Sequence, residues 1–490
     1  MGHRVKLSSM ISRRTALVAL AGIPVSAVLI ACGAGATAQP TAVPAPGATP
    51  SGSAAPAQST TAPAAQATSA PAPTAAANAS AGQPVNMTFW THQYKPLNDL
   101  IATFITGFEK EHPNVKITYT YEVDKDYESK MMATLQAGGG PDALLVFPAA
   151  GYSLPAKGVL VPVDYSPWGG QDKWAALWVP EIRKQVQVNG KDYYGLITTD
   201  PGSTIIVNTE LADAQKLDWQ GAQKEPITWD DVSTWARTLT KTQNGRIVRD
   251  GYMITNSYGS ARLFQMFQPQ FVQSGGQLTN QDGSKCTINS DAGVTTLQWH
   301  DDMVNKWKAS LIRRETLSPS GELPHQNTAM GLLGFWVYPT FYTDNKELAP
   351  HLNAIILPQV KNGTPFYFGG STPSGYGVPK FSKIQSWGWQ FISYLTQFTN
   401  DWLAKTGTAL AVNRWASLPA MDKIQDAPVW KYVGARAKGI YYPTNLLLHL
   451  SEVEDSFQRA WERTVLNHVP AKQSLDQMAK EVDGYLQEKS

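Results

Sequence analysis

No Asp or Glu occurs before Asp99, and no Phe, Trp or Tyr before Phe89. Residues 33–84 are mostly Ala, Pro, Thr, Ser, Gly and Gln and carry no charge. Such a tract cannot bury enough apolar surface to offset the entropy of ordering it. A folded core must therefore come from the 406 of 490 residues that follow, which hold all 16 Trp, 19 Tyr and 15 Phe. That length suits about two domains.

Charge divides the chain at the same place. Four of the 41 cations, Arg4, Lys6, Arg13 and Arg14, lie in the leader, leaving 37 against 39 carboxylates in the remainder. A mildly acidic remainder without a clustered basic face offers no footprint for nucleic acid. With only Cys32 and Cys286, a disulfide framework and a Cys-based zinc site are excluded.

Residues 1–31 have the parts of an export signal: a basic stretch, an apolar run from Ala16 to Ala31, and small residues before Cys32. The run contains Gly22 and Pro24 and is shorter than the ~20 residues of a membrane span; a retained anchor is the alternative. Leu29-Ile30-Ala31-Cys32 resembles the bacterial lipobox, which implies that Cys32 is acylated and becomes the mature N-terminus. Ser12-Arg13-Arg14 resembles a twin-arginine signal, although a plain Sec signal with adjacent arginines fits as well. Residues 32–84 then read as a lipid-anchored tether, able to reach on the order of 150 Å if extended. With Cys32 lipidated, Cys286 is left as a buried thiol.

The remainder alternates strand and helix patterns. Val85–Trp90 is strand-like, and Leu97, Leu100, Ile101, Phe104 and Phe108 recur at helical spacing before His112-Pro113. A strand with alternating Val115, Ile117, Tyr119 and Tyr121 follows, then a helix over 127–137 and an apolar strand over 143–147. This order predicts an α/β fold with parallel pairing. Later strands are expected at 193–198, 205–208, 330–335 and 353–357. Helices are expected after an N-cap at Thr228, over 291–308 and 384–398, and from Ala427 onward.

Four stretches carry a family resemblance: Phe89-Trp90 with the helix ending at His112-Pro113; Ala137 to Asp142 with Gly158 to Asp164; Tyr194-Gly195-Leu196 through Thr228-Trp229-Asp230; and Ala329 to Trp336 with Gly375 to Pro379 and Trp389 to Ile392. In order and spacing they resemble an extracellular solute-binding protein of an ABC importer, in the sugar-binding family that contains the maltodextrin-binding proteins. The resemblance implies the two-lobed periplasmic-binding-protein type II fold, with a ligand cleft between lobes. It places lobe 1 at 85–199 plus 353–404 and lobe 2 at 200–352 plus 405–490, with crossovers near Asp200, Pro350 and Lys405. It also implies a monomer outside the cytoplasmic membrane that captures a sugar or oligosaccharide and delivers it to ABC permease subunits. No cofactor, metal or nucleic acid is expected.

A sugar needs aromatic platforms for its apolar faces and polar side chains around its edge. Trp336, matching the family's cleft tryptophan, is the leading platform, with packing between lobe elements as the alternative. Trp90, His92 and Gln93 follow the first strand, where α/β ligands collect; Trp90 reads equally as a core cap. Asp200 corresponds to a carboxylate that meets sugar hydroxyls in relatives, or stabilises a hinge before Pro201-Gly202. Tyr258 falls where relatives carry a cleft aromatic, Gly370 lies in a glycine-rich bend, and Arg414 either binds hydroxyls or pairs with a surface carboxylate. Pro148-Ala149-Ala150-Gly151-Tyr152 departs from maltodextrin sites, with only Tyr152 offering a contact. Asp142 reads as structural.

The rival classes are a receptor for a polyamine, phosphate ester or siderophore, and a secreted carbohydrate hydrolase. A hydrolase needs paired carboxylates across a cleft; no nucleophile elbow, P-loop or His-Glu-x-x-His motif is present. A polyamine needs several carboxylates, whereas the residues above are mainly aromatic and neutral, favouring a neutral sugar.

Overall fold

The computed structural model describes residues 83–122, 124–199, 202–254, 260–312, 322–368, 374–410, 415–438 and 442–488. In the first lobe, β1 (Val85–His92) pairs in parallel with β2 (Val115–Glu122) and β3 (Ala143–Val146). Alternation along β1 buries Val85, Met87, Phe89 and Thr91 on one face. Helix Lys95–Glu111 covers that core with Leu97, Leu100, Ile101, Phe104 and Phe108, the apolar stripe expected of an amphipathic helix. Asp142 is structural: its Oδ2 accepts from the Thr88 amide at 2.9 Å, and its Oδ1 from the Ser382 hydroxyl at 2.8 Å.

Between β1 and its helix, the Asn98 side chain fixes the turn. Its amide nitrogen donates to the His92 carbonyl at 3.0 Å and the Tyr119 hydroxyl at 2.8 Å, while its oxygen accepts from the Tyr94 backbone at 2.9 Å. Two shared acceptors and one shared donor hold residues 92–94 at the strand's C-terminal edge.

The sheet continues through β4 (Leu196–Thr199), after which β5 (Ser203–Asn208) opens the second lobe. There, helix Trp229–Leu239 begins with a capping box in which Thr228 and Asp231 satisfy each other's backbone amides. A hairpin, β6 (Lys241–Gln243) and β7 (Arg246–Arg249), follows. Strand β8 (Met330–Gly334) and β9 (Leu352–Ala354) flank β5, both antiparallel. Strand β10 (Tyr367–Phe368) precedes β11 (Ser374–Gly377), which returns to the first sheet between β3 and β4, and β12 (Ala409–Leu410) completes that sheet beside β4. Strand β13 (Ala437–Lys438) pairs with β10. Helices Ser260–Gln273, Asp291–Asp301, Leu450–Val465 and Ala471–Gln487 pack on one another in the second lobe.

Three expectations change. The chain was expected to re-enter lobe 1 near Pro350, placing 353–404 there. Instead Ala354 pairs with Ile206, and Ile355, Ile356, Leu357, Tyr367 and Phe368 join the second core. The passage falls between Phe368 and Ser374. An apolar strand such as 353–357 suits either sheet; partner choice depends on β5, which periodicity does not reveal. At the third passage, Trp402 belongs to the first core, Leu403 and Ala409 to the second, and Leu410 to the first. The lobe change near Lys405 is therefore a shared boundary rather than a single point. The helix expected over 291–308 is α-helical only to Asp301, and Asp302–Lys306 widens into a π-helix.

Cys286 is a free, buried thiol, and burial pushes its pKa up to about 12. Among the described residues, no helix is long and apolar enough to cross a membrane.

Candidate functional site

Parallel strands end at one edge of the first sheet, and the turns leaving that edge supply one wall of the space between lobes. Beyond β1, the His92 imidazole lies against Tyr94 (ring centroids 6.1 Å, planes 2° apart), Phe147 (5.0 Å) and Tyr127 (6.5 Å). Burial lowers its pKa to about 4, so the ring is neutral at neutral pH. Tyr127 is held in turn by its hydroxyl, which donates to the Leu145 carbonyl at 2.5 Å. Gln93 has an exposed side chain, and Tyr152 is half-buried just before helix Ser153–Ala156.

Trp90 is two residues back along β1, on the same face as His92. The Lys130 ammonium sits 5.4 Å from its ring centroid, and its indole packs on the first core. Trp90 is half-buried, and Lys130, on helix Asp124–Gln136, reaches over its ring.

Trp336 stands on the opposite lobe, in the 3-10 turn Phe335–Val337 that follows β8. It is half-buried and packed against the second core. Its backbone is tied to the first lobe: the Tyr94 hydroxyl lies 2.7 Å from the Trp336 carbonyl and 2.7 Å from that of Thr406. Gly407 fits the same junction at φ +64°, where an added Cβ would meet the Phe335 carbonyl oxygen and the Trp336 Cα at 2.8 Å. Only glycine satisfies both that backbone angle and that approach.

Asp200, Tyr258, Gly370, Arg414 and Cys32 lie outside the described residues. Of the expected site, the structure brings His92, Gln93 and Tyr152 to the first-lobe edge and Trp336 to the second-lobe junction.

Several polar residues at the lobe interface were not anticipated. Helix Leu450–Val465 packs on residues 148–150, and helix Thr444–Leu448 on Ser153–Ala156. Glu454 and Asp455 of the second lobe interact electrostatically with Glu128 of helix Asp124–Gln136. Burial raises the Glu454 pKa well above the usual carboxylate range, with Glu128 and Asp455 adding to the effect. Glu128 is raised by burial and then by Asp455. The Tyr442 hydroxyl meets the side-chain amide of Gln268, and burial, then the Glu454 charge, pushes its pKa up. One of these had a sequence signal. Leu450, Val453, Glu454, Phe457, Ala460 and Trp461 form the buried stripe of their helix, so Glu454 is a carboxylate at an apolar position.

An open depression of about 560 Å3, bordered by Phe108, His112, Gln390 and Tyr394, lies wholly on the first lobe, apart from this interface.

Two α/β lobes, linked by repeated passages of one chain and facing each other through aromatic and acidic side chains, define a two-lobed binding protein. The chain belongs to the bacterial extracellular solute-binding protein family, whose model matches residues 90–397. Comparison with curated proteins gives no match. Among solved structures, an ABC transporter solute-binding protein from Thermotoga lettingae bound with alpha-D-tagatose is similar at 19% identity and TM-score 0.70, covering 82% of this chain and 100% of that one. The maltose/maltodextrin-binding domain MalE of Bdellovibrio bacteriovorus bound to maltotriose is similar at 16% identity and TM-score 0.68, covering 82% and 100%. An ABC substrate-binding protein from Listeria monocytogenes in complex with cycloalternan is similar at 18% identity and TM-score 0.68, covering 83% and 100%.

Proposed function

We propose that this protein captures a sugar or oligosaccharide between its lobes and delivers it unchanged to an ABC permease in the cytoplasmic membrane. Trp336 is the stacking platform in this reading, with Tyr152 and the His92–Tyr94–Phe147 cluster on the facing wall. The observation that carries it is the pairing of family membership with half-buried aromatics on both lobes. Flat rings gain dispersion and apolar burial against the C–H faces of a sugar. The proposal includes an exported, monomeric protein anchored through lipid on Cys32, with the uncharged tract as spacer.

The test is a thermal-shift screen of purified protein against a saccharide panel. A ligand at 100 times its dissociation constant adds ~2.7 kcal/mol of stability. The bound sugar should return chemically intact from hours of incubation; cleavage at catalytic turnover would place the protein among hydrolases. A second reading, a cationic solute, is favoured by the carboxylates Glu128, Glu454 and Asp455.

A further inference from the structure

We infer that the depression on the first lobe is a second saccharide site, which takes a short neutral oligosaccharide through its hydroxyls. It lies apart from the lobe interface, so the inference goes beyond the proposed function and stands or falls separately from it.

Two helices and a turn build its walls. Helix Gln385–Leu395 brings Ser386, Gln390, Ser393 and Tyr394 to the depression, at a spacing that keeps them on one face. Glu111 and His112 border it from the end of helix Lys95–Glu111, and the 3-10 turn Ser166–Trp168 closes a third side. The Ser393 hydroxyl donates to the Pro167 carbonyl at 3.3 Å, which ties that turn to the helix. The volume of about 560 Å3 falls within the ~300–1,000 Å3 of small-molecule sites.

One side chain on this wall is both buried and unmet. Tyr394 is only 9% exposed, and its ring packs edge-on against Phe108 (5.4 Å) and Phe398 (5.0 Å). Its hydroxyl lies over Gly107, where an added Cβ would collide with the phenol oxygen. A glycine inside a helix weakens that helix, so the room for this oxygen is held at a cost in stability. Among the described residues, no hydrogen bond meets the Tyr394 hydroxyl, the Gln390 side-chain amide or the Ser386 hydroxyl.

These unmet groups each donate and accept, as the hydroxyls of a sugar do. The half-buried His112 ring, backed by Phe108 at 4.4 Å and Trp387 at 5.5 Å, offers a flat surface for a sugar C–H face. Other ligands fit less well. Neither Lys nor Arg borders the depression, which disfavours an anion. Glu111 and Asp164 border it but are exposed, so a cation gains little from them. A peptide strand would need a free sheet edge, and these walls are helical.

The test is calorimetric titration of the whole protein with maltotriose, cellotriose and xylotriose to millimolar concentration, with spermidine and trialanine as controls. Hydrogen–deuterium exchange read by mass spectrometry locates each binding event. At least one trisaccharide should slow exchange in 107–112 and 386–397. Its affinity there should fall roughly three- to tenfold in Gln390→Ala and, separately, in Tyr394→Phe, the loss of one hydrogen bond each. Trp336→Ala should leave this binding unchanged, and circular dichroism and melting confirm that each variant is folded. Saccharide protection confined to the lobe interface, lost in Trp336→Ala and indifferent to Gln390→Ala, would overturn the inference and leave the proposed function standing. Protection of the depression alone would support the inference and overturn the proposed function. Protection of 107–112 and 386–397 by spermidine or trialanine, and by none of the saccharides, would overturn the saccharide assignment. No binding of any trisaccharide would overturn the inference.

Discussion

The Tyr94 hydroxyl of the first lobe lies 2.7 Å from the Trp336 carbonyl of the second. It is equally close to the Thr406 carbonyl, so one proton is shared between two acceptors at the place where the lobes meet. The turn that carries Tyr94 is fixed by Asn98, and the backbone around Trp336 admits only glycine at 407. The expected stacking residue therefore stands on a segment whose position is set from both lobes.

Tyr94→Phe removes the hydroxyl that donates to both carbonyls and should cost about 1–2 kcal/mol. Differential scanning calorimetry should show a lower melting point, and titration a weaker affinity because lobe alignment at Trp336 is loosened. An unchanged melting point would mean that water replaces the phenol without loss.

For Trp336→Ala, loss of a stacking platform should remove about 2–4 kcal/mol of binding energy, a fall of roughly 30- to 1000-fold in affinity. The indole is half-buried, so its folding cost should fall short of the ~3–5 kcal/mol of a fully buried Trp. Melting and titration on the same sample separate the roles. Early melting with normal binding of the folded fraction would make Trp336 a packing residue.

His300 gives a pH dependence of one sign. Its ring is 1% exposed, the Trp461 indole donates to its Nδ1 at 3.3 Å, and burial lowers its pKa to about 3. A folded-state pKa below the unfolded value of ~6.5 means its stabilisation is complete above that pH and is lost as pH falls toward 3. Melting curves from pH 7 to pH 4 should therefore decline less steeply in His300→Gln than in the parent. Parallel profiles would contradict this assignment.

Glu454 gives the opposite sign. Its folded-state pKa is raised, first by burial and then by Glu128 and Asp455, so its favourable contribution is present below the unfolded carboxylate pKa and lost as pH rises through the folded one. Without ligand, Glu454→Gln should melt higher than the parent at neutral pH and close to it at pH 4. A variant less stable at neutral pH would show that the carboxylate has a stabilising partner.

Mass spectrometry of native protein should find Cys32 at the mature N-terminus with attached lipid. An intact leader before an unmodified Cys32 would remove the anchoring proposal.

Much of the fold was legible because its signals are local. The stripe from Leu97 to Phe108 specifies a helix, alternation in β1 specifies a half-buried strand, and Thr228-Trp229-Asp230-Asp231 specifies an N-terminus. What escaped depended on contacts distant in sequence. Nothing in 353–357 says that β5 is its partner, and nothing near Tyr94 announces the Trp336 carbonyl, 242 residues away. Trp90 was ambiguous because a strand-end aromatic serves a cleft or a core equally well. Glu454 was readable in principle, as a charge on an apolar stripe.

Solution scattering on the purified protein, with and without a saturating saccharide identified by the thermal-shift screen, tests interlobe capture most directly. Ligand can shift the balance between open and closed arrangements only through contacts that differ between them. The account predicts a smaller radius of gyration on saturation. Saturable binding with an unchanged radius, in a protein that keeps its affinity after Trp336→Ala, would contradict it.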